Sequence, residues 1–390
     1  MRLSKIRRQM AAAVAGLLVV ATYTLPASAA APLATLDIRA EQFAEAPVGN
    51  YVYASEMGTD TVYQINLHTL AIEDSFYAGD GPNGMAFSED GSRLYVANMY
   101  EPTISVIDTS NHALINQITL PTGAFDLEVG YGGQLYATPW HDDVRIMKVD
   151  TLGNSYAGDF HSVSARVGDE ALLQISPDKR NLYFADTDGS LGTVAAYDVS
   201  GSEPKLVWTN ERSNLLEQYS RFDLGGNGQD LALSNDGQWL TYLTGGGNGV
   251  NGGDDNVGVL RTSDFAVVDD FESGRPPSEG VFSPDAAVYY AVHTDSNITM
   301  HVLDGDKYLA APRYGDWPSF PTPYQPGLAL GGSKARELYV DPTGRHLFAA
   351  SGLKVLVFDT GRRVTPEPGA WALAAIALAM LSANRNSVCR

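Results

Sequence analysis

The sequence predicts an all-β fold, a seven-bladed β-propeller of four-stranded antiparallel blades. Three observations predict it. A turn followed by a short apolar strand recurs seven times, each recurrence is followed by a second alternating strand, and no segment with a helical period stands in between. Four-stranded units that cannot bury both faces alone are stabilised by radial stacking, which closes a ring.

The recurrences set the blades in order. The first strand after a turn is Tyr51-Val52-Tyr53-Ala54, without a clear turn before it. Ser88-Glu89-Asp90-Gly91 precedes Arg93 to Asn98, Gly132-Gly133 precedes Gln134 to Thr138, and Ser176-Pro177-Asp178 precedes Asn181 to Ala185. Ser234-Asn235-Asp236-Gly237 then precedes Trp239 to Tyr242, Ser283-Pro284-Asp285 precedes Tyr289 to Val292, and Asp341-Pro342-Thr343-Gly344 precedes His346 to Ala349. The following strands include Thr61 to Asn66, Thr103 to Asp108, Val144 to Asp150, Thr193 to Asp198, Ile298 to Asp304 and Lys354 to Asp359. A third strand follows, as in Ala71 to Tyr77, and a short apolar strand precedes the turn, as in Gly84 to Phe87. The repeat averages about 47 residues over 31–361. No fourth strand follows Asp359, so Ala34 to Ala40 is expected to close the last blade or to supply the inner strand of the first.

At these residues the chain resembles the YVTN family of β-propeller repeats, whose units run roughly S-P-D-G-x-x-L-Y-V-x-N and then V-x-V-I-D-T. Ser88 to Thr109 follows that pattern almost throughout. The resemblance implies architecture more than chemistry, because related propellers include lactonases, cofactor enzymes and binding proteins.

Both ends read as addresses. Arg2, Lys5, Arg7 and Arg8, the apolar run Met10 to Leu25 and the small residues Ala27-Ser28-Ala29-Ala30 form the three regions of a secretory signal peptide over residues 1–30. Residues 362–390 carry Pro366-Glu367-Pro368, an apolar run from Gly369 to Leu381, and Arg385 and Arg390. This tail resembles the PEP-CTERM sorting signal, which implies export, transient membrane anchoring, processing by an exosortase-type protease, and a final place on the outer surface or in an extracellular matrix.

Composition narrows the partners. The chain holds 46 Asp+Glu against 26 Lys+Arg, a formal charge of -20, and four of the bases lie in the removable segment. A body this acidic is repelled by phosphate backbones, which argues against nucleic-acid binding. The single cysteine, Cys389, excludes an intrachain disulfide and a Cys-based metal cluster.

With strands lettered A to D outward from the channel, A–B and C–D turns share one face, and B–C and D–A loops share the other. Asp90, Asp178, Asp236 and Asp285 fall in A–B turns, and Asp108, Asp150, Asp198, Asp304 and Asp359 end C strands. Both sets are expected to accept backbone N–H bonds. The aperiodic acids lie on the loop face: Asp126, Glu170, Asp230, Glu279 and Glu337 at the entries to A strands, with Glu56, Asn98, Asp186 and the histidines His141 and His293 after B strands. Asp230, Glu279 and Glu337 occupy equivalent entries in three consecutive units and are the expected ligands of a hard cation such as calcium. Neither histidine has a zinc-site spacing, and no G-x-S-x-G nucleophile motif occurs.

Two insertions exceed the repeat. Gly245–Gly258 links B to C in the fifth unit, and Pro312–Pro326 carries Tyr314, Trp317, Phe320 and Tyr324 among five prolines. The expected ligand face therefore comprises Glu56, Asn98, Trp140, His141, Asp186, His293, Trp317 and Tyr324. The expected function is binding of a matrix polysaccharide or envelope protein without catalysis. The alternative is a lactonase-like hydrolase that uses a cation at the acidic channel mouth.

Overall fold

Each recurrence forms one antiparallel sheet in a computed structural model that describes residues 32–140, 145–161, 170–187, 193–210, 228–244, 256–272, 277–293, 297–304, 307–310, 320–321 and 337–362. Blades 1 to 6 take their A to D strands from consecutive sequence, starting with Phe43–Glu45, Tyr51–Glu56, Thr61–Asn66 and Ala71–Tyr77. Blade 7 combines Glu337–Val340, His346–Ser351 and Lys354–Asp359 with Ala34–Leu36 from the start of the chain. Ala34 pairs with Val357, Thr35 with Leu356 and Leu36 with Val355, so this strand closes the ring as a D strand. It is not the inner strand of blade 1, which is Phe43–Glu45. The result is a seven-bladed β-propeller.

Burial explains why the ring holds. Among the described residues, seven hydrophobic clusters occupy the seven blade–blade junctions. Leu36, Ile38 and Ala40 pack against Phe348, Val355 and Val357 and against Val52 and Ile65, so the last blade is sealed to the first by side chains as well as by strand pairing. B and C strands are apolar on both faces, as where Leu94 and Val96 face blade 1 while Tyr95 and Ala97 of the same strand face blade 3, because each blade is sandwiched between two others. Removing a large apolar side chain there costs a few kcal/mol.

The turn face is built as its sequence predicts. The Asp90 carboxylate accepts bonds from the Ser88 and Ser92 hydroxyls and from Ser92 N. Asp178, Asp236 and Asp285 repeat the bonds to a serine two residues before and a backbone N–H two residues after. Asp108, Asp150, Asp198 and Asp359 accept the N–H two residues on; the Asp304 side chain lies outside the described residues. A threonine after the C strand then ties the two turns together: Thr109, Thr151, Thr262 and Thr360 donate to the carbonyls of Gly91, Gly133, Gly237 and Gly344.

Both insertions are shorter than they read. Asn256–Arg261 is already the C strand of blade 5, so only residues 245–255 lie outside the strands flanking the first. In the second, Phe320–Pro321 pairs with Asn297 and Ile298 of blade 6, which returns that segment to its own blade. Among the described residues no helix is long and apolar enough to cross a membrane; the two terminal address segments lie outside them.

Candidate functional site at the channel mouth

The inner strands start with a shared irregularity. In blades 2, 3, 5 and 6 the A–B register shifts within the first residues of the A strand, between Pro82 and Met85, Ala124 and Leu127, Gly228 and Asp230, and Pro277 and Glu279. A bulge at this point re-aims the next side chain. Aligning the blades by their B-strand partners gives one equivalent position in each: Gln42, Gly84, Asp126, Leu172, Asp230, Glu279 and Glu337. Four of these seven carry carboxylates, as the sequence reading expected. Glu170 falls two residues outside the ring position of its blade.

An A strand is an edge strand, with N–H groups that no fifth strand satisfies. The ring carboxylates supply acceptors. Asp126 Oδ2 accepts Leu173 N of blade 4 at 2.8 Å, and Asp230 Oδ2 accepts Gly280 N of blade 6 at 2.9 Å. These are the same bond two repeats apart, since Leu173 and Gly280 each follow the ring position of their blade. Asp126 Oδ1 also accepts its neighbour Leu127 N at 2.8 Å and Gln42 Nε2 of blade 1 at 3.1 Å. Blade 2 lies between these partners, and its ring residue is Gly84. A Cβ there would stand 2.7 Å from the Asp126 Cα, so only glycine admits this approach.

Burial sets the protonation of the ring. The Asp126 carboxyl is pushed up to about 6 by burial, against three hydrogen bonds that favour its ionised form. Glu337 is raised well above the ordinary range by burial first, then by the charges of Asp230 and Asp126. Glu128, two residues beyond Asp126 on the same strand, is pushed up to about 8 by burial first and by Asp126, with Lys179 opposing. Glu128 and Glu337 are densely surrounded by protein although the channel leaves each partly accessible. Sequence reading missed Gln42 and Glu128; the two-residue strand period from Asp126 would have put Glu128 on the same face.

The ring does not close into the expected calcium cage. Among the described residues no group of three or more His, Cys, Asp or Glu side chains could hold a metal ion. Asp230, which the sequence reading made a cation ligand, instead accepts the Gly280 N–H of blade 6.

The expected ligand face divides. Glu56 ends the B strand of blade 1 and is partly exposed. Trp140 is half-buried and stacks on Phe125, the residue before Asp126, with ring centroids 5.9 Å apart. Asn98 is fully buried; its Nδ2 binds Thr103 Oγ1 at 2.8 Å and Ser105 Oγ at 3.0 Å, so it clamps the B–C loop and offers no surface to a ligand. Asp186 is also buried, and its charge raises the Tyr242 hydroxyl after the larger effect of burial. His141, Trp317, Tyr324 and the His293 side chain lie outside the described residues.

The chain matches a family model described as "Lactonase, 7-bladed beta-propeller" over residues 38–129. No curated protein matches. Among solved structures it is similar to Kuenenia stuttgartiensis hydrazine synthase, at 17% identity and a TM-score of 0.62, covering 88% of this chain and 100% of that one. It is also similar to a chain of the mitotic checkpoint complex, at 15% identity and a TM-score of 0.63, covering 88% and 97%. The Myceliophteria thermophila Cps50 (Swd1) β-propeller domain follows at 12% identity and 0.60, covering 85% and 99%. At such identities the likeness is one of fold.

Proposed function

We propose that the chain is an exported, surface-targeted propeller that binds an extracellular polysaccharide or an envelope protein through its loop face, without catalysis. The use of the mouth carboxylates carries this reading. Asp126 and Asp230 direct their oxygens to N–H groups of neighbouring blades, so they hold the ring and leave recognition to the loops around it. Beside them, Trp140 on Phe125 offers a half-exposed aromatic surface of the kind that stacks on a sugar ring. Export rests on the signal-like start, and surface placement on the Pro366-Glu367-Pro368 tail with its exosortase-type protease. Two measurements test the reading. Binding to isolated matrix polysaccharide should weaken at least five-fold in Trp140→Ala, and Pro366→Ala with Glu367→Ala should leave the precursor unprocessed in the membrane. Unchanged binding and normal maturation would overturn it.

One rival has specific support. The lactonase match over residues 38–129, with a Glu337 carboxyl biased toward its neutral acid beside Asp230 and Asp126, suits general acid–base hydrolysis of a lactone. A lactone-hydrolysis screen with wild type and Glu337→Gln decides between the two readings. Turnover that Glu337→Gln abolishes would establish the hydrolase.

A further inference from the structure

A second constellation lies on the opposite, turn-bearing face, between blades 1 and 2. A cleft of about 350 Å³ opens there, walled by Tyr51, Tyr53 and Phe87 and edged by Gln64, Asp90 and Val48. That volume is within the range of small-molecule sites. The Tyr53 hydroxyl is the inner end of a relay. His112 Nδ1 lies 2.7 Å from Asp74 Oδ2, and His112 Nε2 lies 3.1 Å from the Tyr53 hydroxyl, which also accepts Gln64 Nε2 at 2.7 Å. An ionised carboxylate only accepts, so Nδ1 carries a proton; in the Nδ1–H tautomer the ring takes the Tyr53 O–H at Nε2. His112 closes a C–D turn in the left-handed conformation, φ 55°, that Leu70, Asn154 and Phe265 share in their blades, and its ring is held by stacking on Phe76 at 4.6 Å.

The relay tilts the hydrogen-bonding character of the cleft toward acceptance. Three of the four hydroxyls on its lining donate elsewhere, Tyr53 to His112, Ser92 to Asp90 and Thr109 to the Gly91 carbonyl, while the Tyr51 hydroxyl is influenced by the Glu73 carboxylate. What remains is weighted toward acceptors: a lone pair on Tyr53, the Gln64 Oε1 and the second oxygen of Asp90, against the Tyr51 hydroxyl and the second Nε2 hydrogen of Gln64. Asp90 stays charged throughout the physiological range, because its hydroxyl and N–H donors hold it down to about 2. None of the residues lining the cleft is basic. Aromatic faces, free acceptors and a carboxylate without a competing cation match one ligand chemistry.

We infer that this cleft is a binding site for a small organic ammonium ion, with Asp90 as counter-ion, Tyr53 and Gln64 as acceptors, and Tyr51 and Phe87 as the aromatic walls. A sugar is the poorer fit, since acceptors outnumber donors and its hydroxyls carry no charge to match Asp90. The proposal is independent of the loop-face function.

Calorimetric and NMR titration of the purified protein with n-butylammonium chloride tests it, with 1-butanol and methyl glucoside as neutral probes. Saturable binding at one site is expected, weakened at least five-fold by Asp90→Asn and by Tyr53→Phe. Asp264→Asn, which removes an exposed carboxylate on the turn face of blade 5, should leave it unchanged. Asp90→Asn alters an exposed turn and keeps the test valid if Tyr53→Phe does not fold. Equal weakening by Asp264→Asn would mean diffuse counter-ion attraction and would overturn the site, as would tighter binding of either neutral probe or the absence of saturation.

Discussion

Replacing Glu128 with glutamine should remove most of one slope in the pH dependence of stability. Glu128 moves from an ordinary 4.5 to about 8 in the folded ring, because burial and the Asp126 charge both disfavour its ionised form. A raised acid binds its proton more tightly when folded, so its stabilising contribution is complete below about pH 4.5 and is lost as pH rises toward 8. The full shift corresponds to at most about 5 kcal/mol between protonation states. The channel leaves Glu128 partly accessible, so roughly 2 kcal/mol is expected between pH 5 and pH 8. In a ring of this size that is on the order of 4 °C in melting temperature. The structural aspartates do not blur the window: Asp90, Asp108, Asp178 and Asp198 are held below their ordinary values by hydroxyl and N–H donors, so their contribution is lost only as pH falls below about 4. Asp126, pushed up to about 6, and Glu337, raised well above the ordinary range, also contribute in this window, which is why the difference between wild type and Glu128→Gln is the quantity to follow. Melting both proteins at half-unit steps from pH 4.5 to 8.5 should give curves that diverge upward for the variant as pH rises. Parallel curves would refute the assignment of a buried, proton-holding Glu128.

Three further outcomes follow from the ring. Deleting residues 32–36 removes the D strand of blade 7 together with Leu36, so melting should fall by several degrees and the exposed edge of Lys354–Asp359 should promote self-association, read by calorimetry and size-exclusion chromatography. Gly84→Ala forces a Cβ against the Asp126 backbone and should cost about 2–3 kcal/mol in denaturant titration, whereas Gly58→Ala, which meets nothing within 4 Å, should stay within roughly 0.5 kcal/mol. Asp230→Ala leaves the Gly280 N–H without its acceptor and should cost about 1–3 kcal/mol, with Asp230→Asn recovering part of it through the remaining carbonyl oxygen.

The fold was legible because its determinants are local and repeated. Ser88, Asp90 and Gly91 fix a turn within five residues, the same chemistry recurs at Ser176, Ser234 and Ser283, and seven copies of one signal outweigh any single ambiguous strand. The ring acids were legible as positions, since the repeat puts Asp126, Asp230, Glu279 and Glu337 in register. Their work was not legible. It consists of bonds to the blade after, between residues 47 and 50 positions apart, and the expectation of a cation arose from counting charges without knowing which oxygens were engaged. Asn98 misled for the same reason, because a polar residue after a B strand looks exposed until Thr103 and Ser105 are seen to surround it.

The turn-face cleft carries this argument furthest. Asp74, His112, Tyr53 and Gln64 come from a D strand, a C–D turn, a B strand and a C strand of two blades, so no spacing in the sequence joins them. The left-handed backbone at His112 gives no hint, because Leu70, Asn154 and Phe265 share it at the same turn; what differs is the imidazole. In a repeat fold, the structural residues are those that recur, and chemistry collects where a blade departs from the repeat. In blades 1, 3 and 5 the left-handed residue closing the turn after the C strand is Leu70, Asn154 or Phe265; in blade 2 it is His112, and among the described residues only there does an imidazole reach back to a tyrosine of the preceding blade. That departure is why the blade 1–2 junction, and not an equivalent one, is the place to titrate an ammonium ion.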